Sequence, residues 1–324
     1  MKNLILQTTS VNPYHNLALE QILYEYSCEN IILYLWKNHN TIVVGRNQNV
    51  WKECNISAIQ SDGIYLARRN SGGGAVFHDI GNLNFTFIIP KRLFNIKRQL
   101  SVIQNSLCNL GVNAFPSGRN DLILQNGKKI SGNAYQKGSC NCIHHGTLLI
   151  NANLKMLESY LTPSKLKLES NAVSSVHARV ANLNSINSEI NSDTVKNAII
   201  NSFIKEYGNA EQIDETFFEK KQQFNKLKSL YSSWDWIYGE SFPMDVSLKN
   251  RFSWGEIELN FSIHKGVISN IQIYTDCINT DLPQILMSKL VGCRFSWDAI
   301  AETLTDFSFP ELTDISSWLK SAEI

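Results

Sequence analysis

The sequence predicts an α+β fold: a mixed or antiparallel sheet with covering helices, followed by a small α/β unit at the C-terminal end. Two observations carry this. Through the first half, short strand-like runs follow one another by links too short for the crossover helices of a doubly wound sheet. Past residue 250, two alternating runs flank the turn His264-Lys265-Gly266 and lead into helical segments. A chain of 324 residues also exceeds what one compact core usually absorbs, so two domains are expected, 1–245 and 246–324.

In order, residues 4–6, 31–35, 41–44, 64–67, 75–77, 84–89, 122–124, 129–135 and 147–150 read as strands bounded by Gly, Asn, Asp or Pro. Residues 13–26, capped by Asn12, stack Ala18, Ile22 and Tyr26 at helical spacing, and 96–110 form a helix closed by Gly111. Asp193 is expected to cap a helix to about Tyr207, and the Lys-rich 211–231 segment is expected to be helical. The aromatic cluster Trp234-Asp235-Trp236 precedes the composition shift at Ser241-Phe242-Pro243. Strands 252–263 and 267–274, then helices starting near Asp281 and Trp297, complete the chain.

Hydrophobic residues make up 43% and charged residues 18%, enough apolar content for a sizeable core and too little charge for disorder. With 30 Lys+Arg against 29 Asp+Glu, no global field recruits nucleic acid or an anionic membrane. No run approaches the roughly 18 apolar residues of a membrane helix, and no signal peptide is read at the N-terminus. A cytoplasmic location is expected, and the seven scattered Cys do not read as a disulfide framework.

The densest chemical signal is Arg68-Arg69-Asn70-Ser71-Gly72-Gly73-Gly74-Ala75-Val76-Phe77-His78-Asp79. Three adjacent glycines maximise unfolded-chain entropy, so the loop must bring its backbone close to another group. A bound anion cradled by N–H groups with flanking Arg is one reading, and a flexible hairpin with solvated arginines is the other. No helix opens after the glycines and no GK[ST] closes them, which separates the loop from dinucleotide and Walker motifs.

A second signal joins Asn120 and Asp121 to Lys129-Ile130-Ser131-Gly132-Asn133-Ala134-Tyr135. Period-two alternation puts Lys129, Ser131, Asn133 and Tyr135 on one polar face, and Ile130, Gly132 and Ala134 on the other. This is either a pocket wall carrying a cation or an edge strand guarded by Lys. Asp121 can orient Lys129, hold Mg²⁺ or cap a turn. In Cys140-Asn141-Cys142-Ile143-His144-His145, extended backbone separates Cys140 from His144 by roughly 13 Å, too far to share a zinc ion. Nothing in the sequence activates either thiol. His78, His144 and His145 are either contacts or structural histidines.

These strings are collinear with others: Asn16-Leu17-Ala18, Gly45-Arg46-Asn47-Gln48-Asn49, Trp51-Lys52-Glu53-Cys54-Asn55, Gly146-Thr147-Leu148-Leu149, Ser175-Val176-His177-Ala178-Arg179-Val180, Trp254-Gly255 and Tyr274-Thr275-Asp276. Over nearly the whole chain the set resembles the lipoate–protein ligases of the biotin/lipoate ligase superfamily, in their long two-domain bacterial form. The resemblance implies a lipoate-adenylating catalytic domain (1–245) of the biotin/lipoate ligase type and an accessory domain (246–324). It implies ATP with Mg²⁺ and lipoate as substrates and no tightly bound prosthetic group. The acceptors it implies are apo lipoyl domains of 2-oxoacid dehydrogenase E2 subunits and the glycine-cleavage H protein, the enzyme acting as a monomer.

By the same resemblance Lys129 is the catalytic lysine, touching both substrates. Arg69, Gly74, Ala75, Val76 and Phe77 fall on nucleotide-binding positions, and Gly72, Gly73, Asn120 and Asp121 on substrate-binding ones. Asn70 stands where the family commonly has Ser. A lipoyltransferase that uses only preformed lipoyl-AMP shares nearly all these motifs. Octanoyl transfer through a Cys thioester, or a non-catalytic binder of lipoyl domains, fits them less well.

Overall fold

The computed structural model describes residues 1–26, 28–46, 48, 50–117, 120–161, 180–239, 244–275, 279, 281–304 and 309–321. Asn47, Asn49, 175–179, 241–243 and Asp276, named above, lie outside the described residues. The chain divides into two compact units, 1–46 with 58–232, and 47–57 with 233–324.

The first unit contains β1 (Asn3–Gln7), β2 (Ile31–Trp36), β3 (Thr41–Val44), β4 (Tyr65–Arg68), β5 (Val76–His78), β6 (Asn82–Pro90), β7 (Phe115–Ser117), β8 (Asp121–Ile123), β9 (Lys129–Lys137), β10 (Asn141–Leu149) and β11 (Ala210–Ile213). Eight of them form a mixed sheet in the order β11-β1-β2-β6-β10-β9-β8-β7. β11, β1 and β2 run parallel, and every pair from β2 to β7 is antiparallel. The other three form a small sheet, β4-β3-β5.

Both faces of the central strands are covered, which is why β2 and β6 are buried at every position. On one face Phe85, Phe87 and Leu148 pack with Val102, Ile103 and Leu107 of the helix Ile96–Cys108 and with Val195, Ile199 and Phe203 of the helix Ser192–Tyr207. Against the other lies the helix Pro13–Tyr26. It begins where the Asn12 side chain accepts the N–H groups of Tyr14 and His15, as the sequence predicts.

Several elements differ from expectation. Ala210–Ile213 is not helical: it pairs in parallel with β1, and the sheet edge overrides its local propensity. The cap of Ser192–Tyr207 is Asn191, which accepts from Asp193 and Thr194 while Thr194 Oγ1 accepts the Asn191 N–H, a reciprocal capping box. The strand expected at 147–150 is the end of a nine-residue strand, Asn141–Leu149. Cys28 and Cys140, 112 residues apart in the chain, lie side by side with Cα atoms 5.5 Å apart. The end of the first helix and the start of β10 are neighbours in space, which spacing in the chain does not reveal.

The second unit is a three-stranded meander of β12 (Met244–Phe252), β13 (Gly255–His264) and β14 (Val267–Thr275). Lys265 (φ 50°) and Gly266 (φ 74°) form its second hairpin, the paired positive φ of a tight two-residue turn. Helices Leu282–Leu290, Trp297–Thr303 and Pro310–Ser321 contribute buried Leu286, Ile300 and Ile315 to the same core as Leu259 and Phe261. β12 and the last helix were not anticipated from the sequence. Trp51, on the short helix Val50–Glu53, packs its ring against Tyr238 and Phe295. No helix among the described residues is long and apolar enough to cross a membrane.

His144, on β10, is buried among Phe85, Phe87 and Tyr135, its ring nitrogens 3.1 Å from Gln99 Oε1 and 3.0 Å from Asn133 Oδ1. Burial, with the neighbouring His145, pushes its pKa down to about 3, and burial does the same to His78. Both stay neutral in the folded state, whereas an unfolded chain takes up their protons below about pH 6.5. Stability is therefore full above pH 6.5 and falls as the pH drops from 6.5 toward 3, by up to about 1.4 kcal/mol per pH unit for each histidine. Denaturant unfolding at pH 7.5, 6 and 5 should show this decline, and a flat profile would refute it.

Candidate active site

The glycine loop connects β4 to β5, both hydrogen-bonded to β3, so its two ends are anchored in one small sheet. Gly45, just after β3, passes under it: a Cβ there would lie 2.1 Å from the Gly73 carbonyl oxygen. Gly73 itself has φ +94°, a conformation that favours glycine.

Arg69 organises the loop from inside. It is 7% exposed, and its Nε donates to Ser71 Oγ (3.0 Å), Nη1 to the Val43 carbonyl (3.0 Å) and Nη2 to the carbonyls of Gly72 and Gly74 (2.8 Å each). Burial lowers its pKa to about 10, opposed by Glu20, so it remains a cation near neutral pH. In a trans peptide the C=O and N–H point in opposite directions. With the Gly72 and Gly74 carbonyls turned onto the guanidinium, the N–H groups of Gly73 and Ala75 point away from it, as an anion-binding nest requires. Arg68 is fully buried and donates to the Gly45 and Arg46 carbonyls. Neither arginine is the solvated side chain that the bland reading of the motif supposes.

Ser71 Oγ is 2.6 Å from His145 Nε2, and His145 Nδ1 is 2.9 Å from Glu20 Oε1. Thr86 Oγ1 donates to the same Glu20 oxygen (2.7 Å) and accepts from Trp36 Nε1 (3.0 Å). Burial pushes the Glu20 carboxyl up, but His145, the Thr86 hydroxyl and Arg69 outweigh it and hold the carboxyl below its ordinary range. A continuous polar chain thus runs from Trp36 in the large sheet to the glycine loop. Asn70 faces elsewhere, donating to Gln21 and to Tyr231 Oη.

A cavity of about 170 Å³ opens between this loop and the large sheet. Its sheet wall is a ladder of facing residues: Trp36, Asn84 and Thr147 are aligned across β2, β6 and β10, and the Gly132 N–H reaches Thr147 Oγ1. Ala134 and His145 are paired beside them. The loop side contributes Arg69, Gly74, Ala75 and Val76, and Leu17 and Val43 add apolar surface.

Lys129 lines the same cavity, but not as alternation predicted. Leu122 of β8 pairs with Ser131, and its neighbour Ile123 pairs with Lys129, so β9 carries one extra residue, a β-bulge. The bulge reverses parity: Lys129 joins the side of Gly132, whose Cβ would lie 3.1 Å from Nζ, while Ile130 is buried. Asn133 and Tyr135 turn to the opposite face, against His144. The expectation that Lys129, Ser131, Asn133 and Tyr135 share a face is corrected accordingly. Lys129 Nζ sits 2.7 Å from Asp121 Oδ1, both side chains about one-third exposed. Asn120 locks β8 to β9 by donating to the Asn133 carbonyl (2.9 Å).

Of the residues singled out from sequence, Lys129, Arg69, Gly74, Ala75, Val76 and Asn120 line the cavity. Gly72, Gly73 and Asp121 stand beside it, and the Phe77 ring turns away to stack on Tyr160. Sequence reading missed Trp36, Val43 and Asn84, and had Thr147 only as part of a motif with no role given to it. Asn84, a polar residue inside a strand buried throughout, was the signal that could have found the wall. His78 also lines the cavity; Asn38 lies 3.2 Å from its Nδ1, and its buried Nε2 has no hydrogen-bond partner among the described residues.

Comparison with known proteins follows this geometry. The lipoyl protein ligase A/B catalytic domain family matches residues 12–204, and the bacterial lipoate protein ligase C-terminus family matches 241–319. A lipoate-protein ligase A of Blochmanniella floridana is 39% identical over 327 residues, spanning 97% of either chain. Among solved structures, P. falciparum LipL1 in complex with lipoate is 32% identical with a TM-score of 0.67, covering 99% of this chain and 100% of that one. A lipoate-protein ligase A bound with ATP is 26% identical with a TM-score of 0.61, covering 74% and 98%.

The close passage of Gly45 under the loop makes a contrast testable by thermal unfolding. Gly45→Ala forces a Cβ against backbone and should cost on the order of 1–3 kcal/mol. Gly72→Ala meets nothing within 4 Å and should stay within about 0.5 kcal/mol of the parent. Equal effects would show that the loop is not held as described.

Proposed function

This chain belongs to the lipoate–protein ligase family, and we propose that it is a complete, ATP-dependent ligase. It joins lipoate to the α-phosphate of ATP, releasing pyrophosphate, and then passes the lipoyl group from lipoyl-AMP to a lysine amine of an acceptor lipoyl domain or H protein. The observation that carries this reading is Lys129, held on Asp121 and turned by the bulge into the cavity whose other wall is the glycine loop.

The first step brings a carboxylate against a phosphate, two anions whose repulsion a fixed cation must offset. Lys129 supplies it from a side chain already oriented, so little reorganisation accompanies the reaction. The N–H groups of Gly74, Ala75, Val76 and Phe77 and the Arg69-clamped loop are assigned to the nucleotide. Gly72, Gly73 and Asn120 complete the substrate positions. Arg69 acts mainly by shaping that loop, since its hydrogen bonds go to the loop itself. The apolar surface of Leu17, Trp36, Val43, Val76 and Ala134 suits the acyl chain and dithiolane ring. Mg²⁺ enters as part of the MgATP substrate, and Asp121 is the carboxylate from which the chain can offer it an oxygen.

In the second step the neutral acceptor amine attacks the acyl carbonyl, the bond to AMP breaks, the nitrogen gives up a proton to solvent as the amide forms, and Lys129 stabilises the charge that develops on the departing phosphate. Adenylation is assigned to residues 1–245, which contain every cavity residue, and 246–324 are assigned an accessory role.

Incubation with MgATP and lipoate, without acceptor, should release pyrophosphate. No release, with transfer from synthetic lipoyl-AMP intact, would replace this reading with a transferase. Lys129→Ala should lower the rate of adenylate formation by about 10²-fold or more while leaving the melting temperature nearly unchanged. Asp121→Asn, which leaves the ammonium without its anchor, should lower kcat by roughly tenfold with a smaller change in KM. Normal turnover in either variant would remove that residue from the mechanism.

A further inference from the structure

A second cluster of metal-ligating side chains lies in the first unit, and none of its residues lines the cavity. His15 stands in the first turn of the helix Pro13–Tyr26, buried, its ring edge-on to Phe224 with centroids 4.9 Å apart. Among the described residues its Nε2 has no partner at hydrogen-bond geometry. It lies 3.5 Å from Glu215 Oε2 and 3.4 Å from Glu219 Oε1, and all three ligand atoms fall within 4.8 Å of one another.

These separations are long for N–H···O hydrogen bonds, which cluster at about 2.7–3.2 Å. The two separations from His15 match edges of a tetrahedron: zinc bonds of about 2.0–2.2 Å to imidazole nitrogen and carboxylate oxygen place neighbouring ligand atoms about 3.3–3.6 Å apart. Two carboxylates converging on one buried imidazole nitrogen also leave negative charge that a cation would neutralise. Outer contacts are in place as well. The Thr8 hydroxyl donates to Glu215 Oε2, and the Thr9 N–H lies 3.4 Å from Glu215 Oε1, fixing that carboxylate's orientation.

We propose that His15, Glu215 and Glu219 form a divalent-cation site of the zinc type, separate from the active site, with a fourth position left to water. His15 is 200 or more residues from both glutamates in the chain, so binding ties the first helix to the segment after β11 and stabilises the folded unit by mass action.

The test uses the full-length protein treated with a chelator. Titration with Co²⁺ should saturate at one equivalent and give the visible bands of tetrahedral coordination without a thiolate-to-cobalt charge-transfer band. Zn²⁺ should displace it and raise the melting temperature. Glu219→Gln, at a partly exposed side chain, should weaken binding by about tenfold or more, and His15→Gln likewise. Lys129→Ala should bind Co²⁺ as the parent does. Absence of saturable binding, a thiolate band, or undiminished affinity in a folded Glu219→Gln protein would each overturn the site and leave an imidazole–carboxylate ion pair.

Discussion

The structure of the site depends on one buried cation. Arg69 has left water, and a guanidinium in that position is tolerable only when its donors are satisfied and its charge is answered. Val43, Ser71, Gly72 and Gly74 satisfy the donors, and Glu20, reached through Ser71 and His145, supplies the opposing charge. Meeting that requirement shapes the molecule. The loop carbonyls must turn inward, so the adjoining N–H groups turn away, and a flexible triple glycine becomes a fixed concavity. The same chain continues through Thr86 to Trp36, so the loop and the large sheet are held in register by one polar network.

Against that rigid wall the catalytic group assigned here is comparatively exposed. Lys129 and Asp121 are each about one-third open, as suits a pair that must meet substrate, and an ion pair this accessible adds little to stability. Its value is positional. The bulge at Ile130 aims the ammonium into the cavity, and Asn120 holds β8 against β9 beside it. Buried network and half-open lysine divide the labour between a hydrogen-bonded scaffold and a charge placed where new charge develops.

Much of the fold was legible because its signals are local. Asn12 before Pro13 marks a helix start, and the lack of crossover helices argued against a doubly wound sheet. The runs 31–35 and 84–89 read as strands from their local residue pattern. Where a signal was misread, a distant partner was decisive. Ala210–Ile213 became a strand because β1 offered an open edge, and Cys28 met Cys140 because a helix end and a strand start converge. In the site, Arg69, the glycines and Lys129 were visible as residue types out of place in a solvated loop or an ordinary strand. Trp36 and Val43 were not, since on their own strands they look like ordinary core residues.

By itself the sequence determined which groups the site contains: two arginines before three glycines, a lysine on a strand of small and polar residues, and a nearly neutral chain that confines its chemistry to local charge. Which way those groups face was decided only in the tertiary structure. Strand alternation assigned Lys129 to the side of Asn133 and Tyr135, and one extra residue in the β8–β9 pairing placed it with Gly132 and Ala134 instead. A single unpaired residue reverses every side chain on one side of it, and that residue exists only in the register between two strands, which neither strand specifies alone.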